Sequence, residues 1–213
     1  MASLDDLVRN AEMKGLYGKV LKQLHHYEGL IEQIELFWAK KSNDTKTLNE
    51  QSFDPEADDE EYFKIEYIFP EVTRSSLFLS CYAFFEHTLH KICKFQERRL
   101  SSKLKLDDIN GKGIIKYQTF LEKVVGVDFP DDTPEWDKLK FYNEIRNLVA
   151  HCDSQIDENR KDQKNLIARI QKTPSIVLDQ NNRISFEQGF IKEVIEAMSN
   201  FIFELHKKTN FGS

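Results

Sequence analysis

All five prolines, Pro55, Pro70, Pro130, Pro134 and Pro174, stand between stretches of apolar periodicity, and none interrupts one. Proline lacks the amide N–H that an interior helical position donates, and its ring collides with the preceding turn. Its placement therefore marks out helical blocks. Within the blocks apolar residues recur every three or four positions, the period of a helix with one buried face. The first block opens on Ser3-Leu4-Asp5-Asp6, a capping-box-like start, and carries Leu16, Val20, Leu24, Tyr27, Ile31, Ile34 and Trp38, which predicts one long helix ending near Lys41. Residues 42–61 are dense in Asp and Glu, with Lys46 as their one cation and Pro55 among them. So little apolar surface predicts a flexible acidic loop within the domain.

The second block, Pro70 to Leu100, is apolar nearly all round between Leu77 and Phe85, the pattern of a helix at the centre of a bundle. A looser helix is expected from Gly113 to Val125, after the Asn110-Gly111 turn. The next has Thr133 as N-cap and Pro134 at its first position and runs to His151. Residues 153–172 are polar and charged. Two alternating runs, Ser175-Ile-Val-Leu-Asp and Arg183-Ile-Ser-Phe, flank Gln180-Asn181-Asn182 as a small hairpin. A last helix carries Phe190, Ile191, Val194, Ile195, Met198, Phe201, Ile202 and Leu205. The expected fold is all-α: a bundle of about five helices with a β-hairpin before the last, in one domain over residues 1–213. A chain of 213 residues buries roughly 70% of its unfolded surface and needs neither metal nor disulfide to hold a core.

Composition narrows the chemistry. No apolar run approaches the ~18 residues of a membrane span, and the first residues lack the apolar core of a signal peptide. Cys81, Cys93 and Cys152 are odd in number and form no C-x-x-C, so neither a disulfide framework nor a zinc site is expected. A cytoplasmic location fits best. The net charge of −6 gives the whole molecule no electrostatic pull on nucleic acid, so any such binding must be local. Phosphate-binding glycine loops, the nucleophile elbow and the zinc-protease motif are all missing.

What remains is the end of the Thr133 helix, Asn143-Glu-Ile-Arg-Asn-Leu-Val-Ala-His151. At ~100° per residue, Phe141, Tyr142, Ile145, Leu148 and Val149 share one arc; Asn143, Arg146, Asn147 and His151 share the other. Arg146 and His151 lie roughly 140° apart and flank a common polar face. Metal-free RNA cleavage needs a proton shuttle near neutrality and a fixed cation for the charge that develops on phosphorus, and histidine and arginine are those groups. The amide of Asn147, one turn before His151, would fix the imidazole or meet the substrate. The bland alternative is a solvated polar face.

This stretch resembles the signature of the HEPN (higher eukaryotes and prokaryotes nucleotide-binding) superfamily: Arg, usually followed by Asn, and a His a few residues on. Ser80-Cys-Tyr-Ala-Phe-Phe-Glu86-His-Thr-Leu is similar to the family's second core helix. The resemblance implies a helical bundle that dimerises so that two motif helices face each other across a cleft. It also implies a metal-independent endoribonuclease of toxin or anti-phage defence type, leaving a 2′,3′-cyclic phosphate and a 5′-hydroxyl. By position Arg146 and His151 would be catalytic and Asn147 and Asn143 supporting, with Glu86 an orienting partner for Arg146. No cofactor or metal is implied; the partners would be RNA, a second copy and an antitoxin or defence protein. Members silenced by nucleotidylation carry Tyr two places after the His, where this chain has Asp153. The alternative from another class is a non-catalytic HEPN-like dimerisation, interaction or nucleotide-binding module.

Other residues weigh less. His87 and His90, three apart and beside Glu86, lack an obvious third metal ligand; His25 and His26 are adjacent and face apart. Cys152 diverges from His151 on the helix and makes a poor thiol nucleophile. Phe78, Tyr82, Phe84 and Phe85 read as core. Lys91, Lys94, Arg98 and Arg99 suit a helix C-terminus, and a track for a nucleic-acid backbone is the functional alternative.

Overall fold

The computed structural model describes residues 4–49, 60–100, 103–152, 154–157 and 160–209. They form six helices and one hairpin: α1 (Leu4–Asn49), α2 (Phe69–Arg99), α3 (Gly113–Phe120), α4 (Pro134–His151), α5 (Lys161–Ile170), β1 (Ile176–Leu178), β2 (Ile184–Phe186) and α6 (Phe190–Thr209). The mostly helical class and the hairpin before the last helix are as the sequence predicts. No helix among the described residues is long and apolar enough to cross a membrane.

Three local expectations are corrected. Helix α1 does not end near Lys41 but continues to Asn49, and residues 60–63 are again helical, so much of the expected acidic loop is helix; residues 50–59 lie outside the described residues. Polar residues carry the extension. Thr45 Oγ1 donates to the Lys41 carbonyl at 2.9 Å and Thr47 Oγ1 to that of Asn43 at 3.0 Å, while Ser42 donates to Glu66, which Lys46 also approaches at 3.4 Å.

Pro70 does not start a helix either; the chain is helical from residue 60 through Arg99. A π-helical turn, Lys64–Ile68, precedes the proline, and the Phe69 N–H bonds to the Lys64 carbonyl. Widening the turn is a way to pass a residue that cannot donate its own amide. The third correction is α5, inside the charged segment 153–172: Leu166 and Ile170, one turn apart, are buried.

Contacts divide the chain into two compact units. The first comprises Met1–His25, Cys81–Glu144 and Val194–Ser213; the second comprises His26–Ser80 and Ile145–Glu193. In the first, α1 buries Met13, Tyr17, Val20 and Leu24, whereas Leu16, expected in the stripe, is only half-buried. Phe201 of α6 lies at the centre of an aromatic cluster, 5.0 Å from Trp136, 5.4 Å from Phe129 and 5.9 Å from Phe85 between ring centroids. Tyr82 Oη donates to the Leu139 carbonyl at 3.1 Å, which satisfies its polar end inside the core. Cys81 is buried, and desolvation pushes its thiol up to about 12.

In the second unit Phe186 of β2 stacks on Phe190 at 4.1 Å and meets Phe78 edge-on at 5.2 Å. The strands pair antiparallel, Ile176 opposite Phe186 and Leu178 opposite Ile184. Asp179 builds the turn: its Oδ1 accepts the amides of Asn181 and Arg183, both at 2.8 Å. Asn182 takes the left-handed conformation that asparagine tolerates. The guanidinium of Arg74 forks onto Glu35, at 2.8 and 2.7 Å, and donates to the Phe186 carbonyl at 3.1 Å.

Candidate functional site

Helix α4 begins as its sequence dictates. Pro134 occupies the first position, where no amide is needed, and Thr133 Oγ1 accepts the Trp136 amide at 3.3 Å. Glu135 and Asp137 place negative charge in the first turn, where the helix dipole favours it. Phe141, Tyr142, Ile145 and Leu148 are buried, while Asn147, Ala150 and His151 are exposed and Asn143 and Arg146 half-buried. The buried arc inferred from helical spacing holds except at Val149, which is half-buried, and of the polar arc Asn147 and His151 are open to solvent while Asn143 and Arg146 are partly covered.

The backbone around His151 is fixed from both sides. The amides of Cys152 and Ser154 both reach the Leu148 carbonyl, at 2.9 and 3.1 Å, with Ser154 in a left-handed conformation. The chain then joins the hairpin: Ile184 N–H bonds to the Ser154 carbonyl and Ile156 N–H to that of Asn182, each at 2.9 Å. His151 thus ends a helix whose exit is tied to β2 and its turn, although its ring is free to reach solvent. Beside it a cleft of about 400 Å³ runs along Cys152, Gln155, Asp157 and Arg160. Gln163 of α5 holds its wall by accepting the Asp157 amide at 2.6 Å. Arg160 and Gln163 sit in a charged stretch whose apolar periodicity is confined to Leu166, Ile167 and Ile170, which is the signal in the sequence for this helix.

Arg146 Nη1 donates to Asn147 Oδ1 at 3.0 Å, so the amide steadies the guanidinium rather than the imidazole. Glu86 and Asn143 belong to the first unit, and there they converge on Gly113: a Cβ at that glycine would lie 3.3 Å from Glu86 Oε1 and 3.3 Å from Asn143 Oδ1. Gly113 has φ +56°, a left-handed conformation that glycine adopts without strain, and a side chain there would also sit tightly against both neighbours. Arg146, Asn147 and His151 belong to the second unit. Among the described residues no group of three or more His, Cys, Asp or Glu is placed to hold a metal ion. His87 and His90 lie with rings nearly parallel, 6.3 Å apart.

Comparison with protein-family models, with curated proteins and with solved structures finds no match.

Proposed function

We propose that the chain is a metal-independent endoribonuclease of HEPN type, acting as a toxin or in anti-phage defence, with Arg146 and His151 as its catalytic pair. The observation that carries this reading is the polar arc of α4: an arginine steadied by Asn147 and a solvent-exposed histidine on one short helix end, anchored by Leu148 and the hairpin. In the proposed reaction His151 removes the proton of a ribose 2′-hydroxyl. The 2′-oxygen forms a bond to phosphorus, the bond from phosphorus to the 5′-oxygen breaks, and a proton passes from imidazolium to that leaving oxygen. Arg146 neutralises the charge gathered on the phosphoryl oxygens. A second copy, facing its own α4 across a shared cleft, would supply the second imidazole, so that base and acid need not be the same group.

The test is cleavage of RNA in EDTA. Replacing a proton shuttle costs about 10²- to 10⁴-fold in rate. His151→Ala is expected to lose activity on that scale; equal activity, or a strict requirement for Mg²⁺, removes the mechanism. A second reading, a non-catalytic module that associates with a partner protein, is favoured by one observation. In the second unit Phe63, Tyr67, Phe69 and Val72 are large apolar side chains left exposed. Overexpression separates the two readings: a nuclease arrests growth and its His151→Ala variant does not, whereas a scaffold does neither.

A further inference from the structure

The net charge of −6 raises the question of where this chain would hold an RNA strand. Within the first unit a groove of about 900 Å³, lined by no residue of α4, runs between α1 and α2. That volume is at the upper end of the ~300–1,000 Å³ typical of ligand sites. Its walls carry Lys19, Lys91, Lys94 and Arg98 together with the imidazoles of His87 and His90, against two acids, Glu12 and Glu97.

The partners of these groups sharpen the imbalance. Glu97 accepts the Leu106 amide at 2.6 Å and lies 3.3 Å from Lys94, which also pairs with Asp107 at 2.9 Å, so this acid and this lysine are committed to each other and to the following loop. Among the described residues, Lys19 and Lys91 have no acidic partner and are exposed; Arg98, also exposed, lies over the Phe95 ring at 5.7 Å. The groove thus offers three uncommitted cations. Its floor is apolar, from half-buried Leu16 and buried Phe95. Gly15 opens it further, since a Cβ there would meet no atom within 4 Å. His87 and His90 present parallel rings, and Tyr117 stands edge-on to His90 at 6.1 Å. Cations along a trough with flat rings beside them are the parts that grip a single nucleic-acid strand: phosphates meet the ammonium groups and bases stack on rings.

We propose that this groove binds single-stranded RNA and holds the strand independently of the α4 residues. The proposal rests on the reading of the chain as an RNA-cleaving protein for the identity of the ligand, but its test reads binding, not cleavage. The probe is a fluorescein-labelled oligouridylate followed by anisotropy in EDTA across a salt series. Each phosphate contact on a single strand contributes about 0.7 to the slope of log affinity against log salt, so Lys19→Ala/Lys91→Ala is expected to lower the slope by roughly 1.4. At low salt it should weaken binding about two- to thirtyfold.

Gly15→Phe, which removes no charge and fills the open space, is expected to weaken binding with little change in slope. Lys40→Ala/Lys41→Ala, two exposed lysines of α1 outside the groove, should bind as wild type. Binding by the wild type with no cleavage would overturn the catalytic reading alone and support the groove. The groove is overturned by an unchanged slope in the Lys19/Lys91 variant, by equal losses in the Lys40/Lys41 control, or by absence of RNA binding. Displacement of the strand by uridine monophosphate at equal concentration also overturns it, assigning the site to a free nucleotide.

Discussion

Replacing Arg74 by methionine removes a cation that ties α1, α2 and β2 together in the second unit. Its guanidinium makes two short bonds to Glu35 and one to the Phe186 carbonyl, and the two side chains of the pair keep only 18% and 11% of their exposure. Breaking a fully buried pair costs about 3–5 kcal/mol, because the abandoned charge stays out of water. Residual solvent screens part of that here, which lowers the expected loss to about 2–4 kcal/mol. At roughly 2–4 °C per kcal/mol for a chain of this size, the melting temperature should fall by about 4–16 °C. Urea unfolding followed by far-ultraviolet circular dichroism measures the loss. The double variant Glu35→Leu/Arg74→Met leaves no stranded carboxylate and should recover most of it. A loss under about 0.5 kcal/mol in Arg74→Met, within the range of ordinary surface changes, would refute the reasoning. So would a double variant no more stable than the single one.

Two further outcomes follow from local geometry. Gly113→Ala puts a Cβ into a left-handed position and against Glu86 and Asn143, so urea unfolding should show a loss of at least about 1–2 kcal/mol; a neutral or stabilising change would contradict the close approach. Acid should weaken the first unit in two stages. Burial, and then Lys14, hold His206 below its ordinary value of 6.5, so its contribution is present above that pH and lost as pH falls through the lowered folded-state value. The Leu106 amide, followed by Lys94, holds the Glu97 carboxyl below 4.5, so its contribution is present above that and lost lower still. Urea midpoints against pH should show the upper stage vanish in His206→Phe and the lower one in Glu97→Gln; unchanged profiles would contradict both assignments.

The sequence made the elements that bury apolar side chains at regular spacing legible, because burial is what periodicity encodes. The buried and exposed arcs of α4, the Thr133 cap, the hairpin and α6 all follow from residues read one by one. What stayed hidden was held by polar contacts between distant segments. Residues 42–49 look unable to bury anything, yet Thr45 is buried and Ser42 and Lys46 contact Glu66 of the following segment. Pro70 reads as a boundary, but a widened turn accommodates it. In the candidate site, the positions of Arg146 and His151 on one arc were legible. The Arg146–Asn147 bond, the hairpin that fixes the helix exit and the packing of Glu86 and Asn143 about Gly113 depend on three-dimensional neighbours that no local pattern names. The basic groove was half visible: Lys91, Lys94 and Arg98 stood out as a run, while Lys19 and Gly15 of α1 join them only in the fold.

The measurement that bears most directly on the proposed chemistry is the identity of the ends left on RNA after incubation in EDTA with wild type, Arg146→Ala and His151→Ala. Wild type is predicted to leave 2′,3′-cyclic phosphates and 5′-hydroxyls, and each variant to leave the RNA intact over the same interval. Ends of the opposite kind, 5′-phosphate and 3′-hydroxyl, or the same products from His151→Ala at the wild-type rate, would contradict attack by the 2′-hydroxyl under the control of this arginine and histidine.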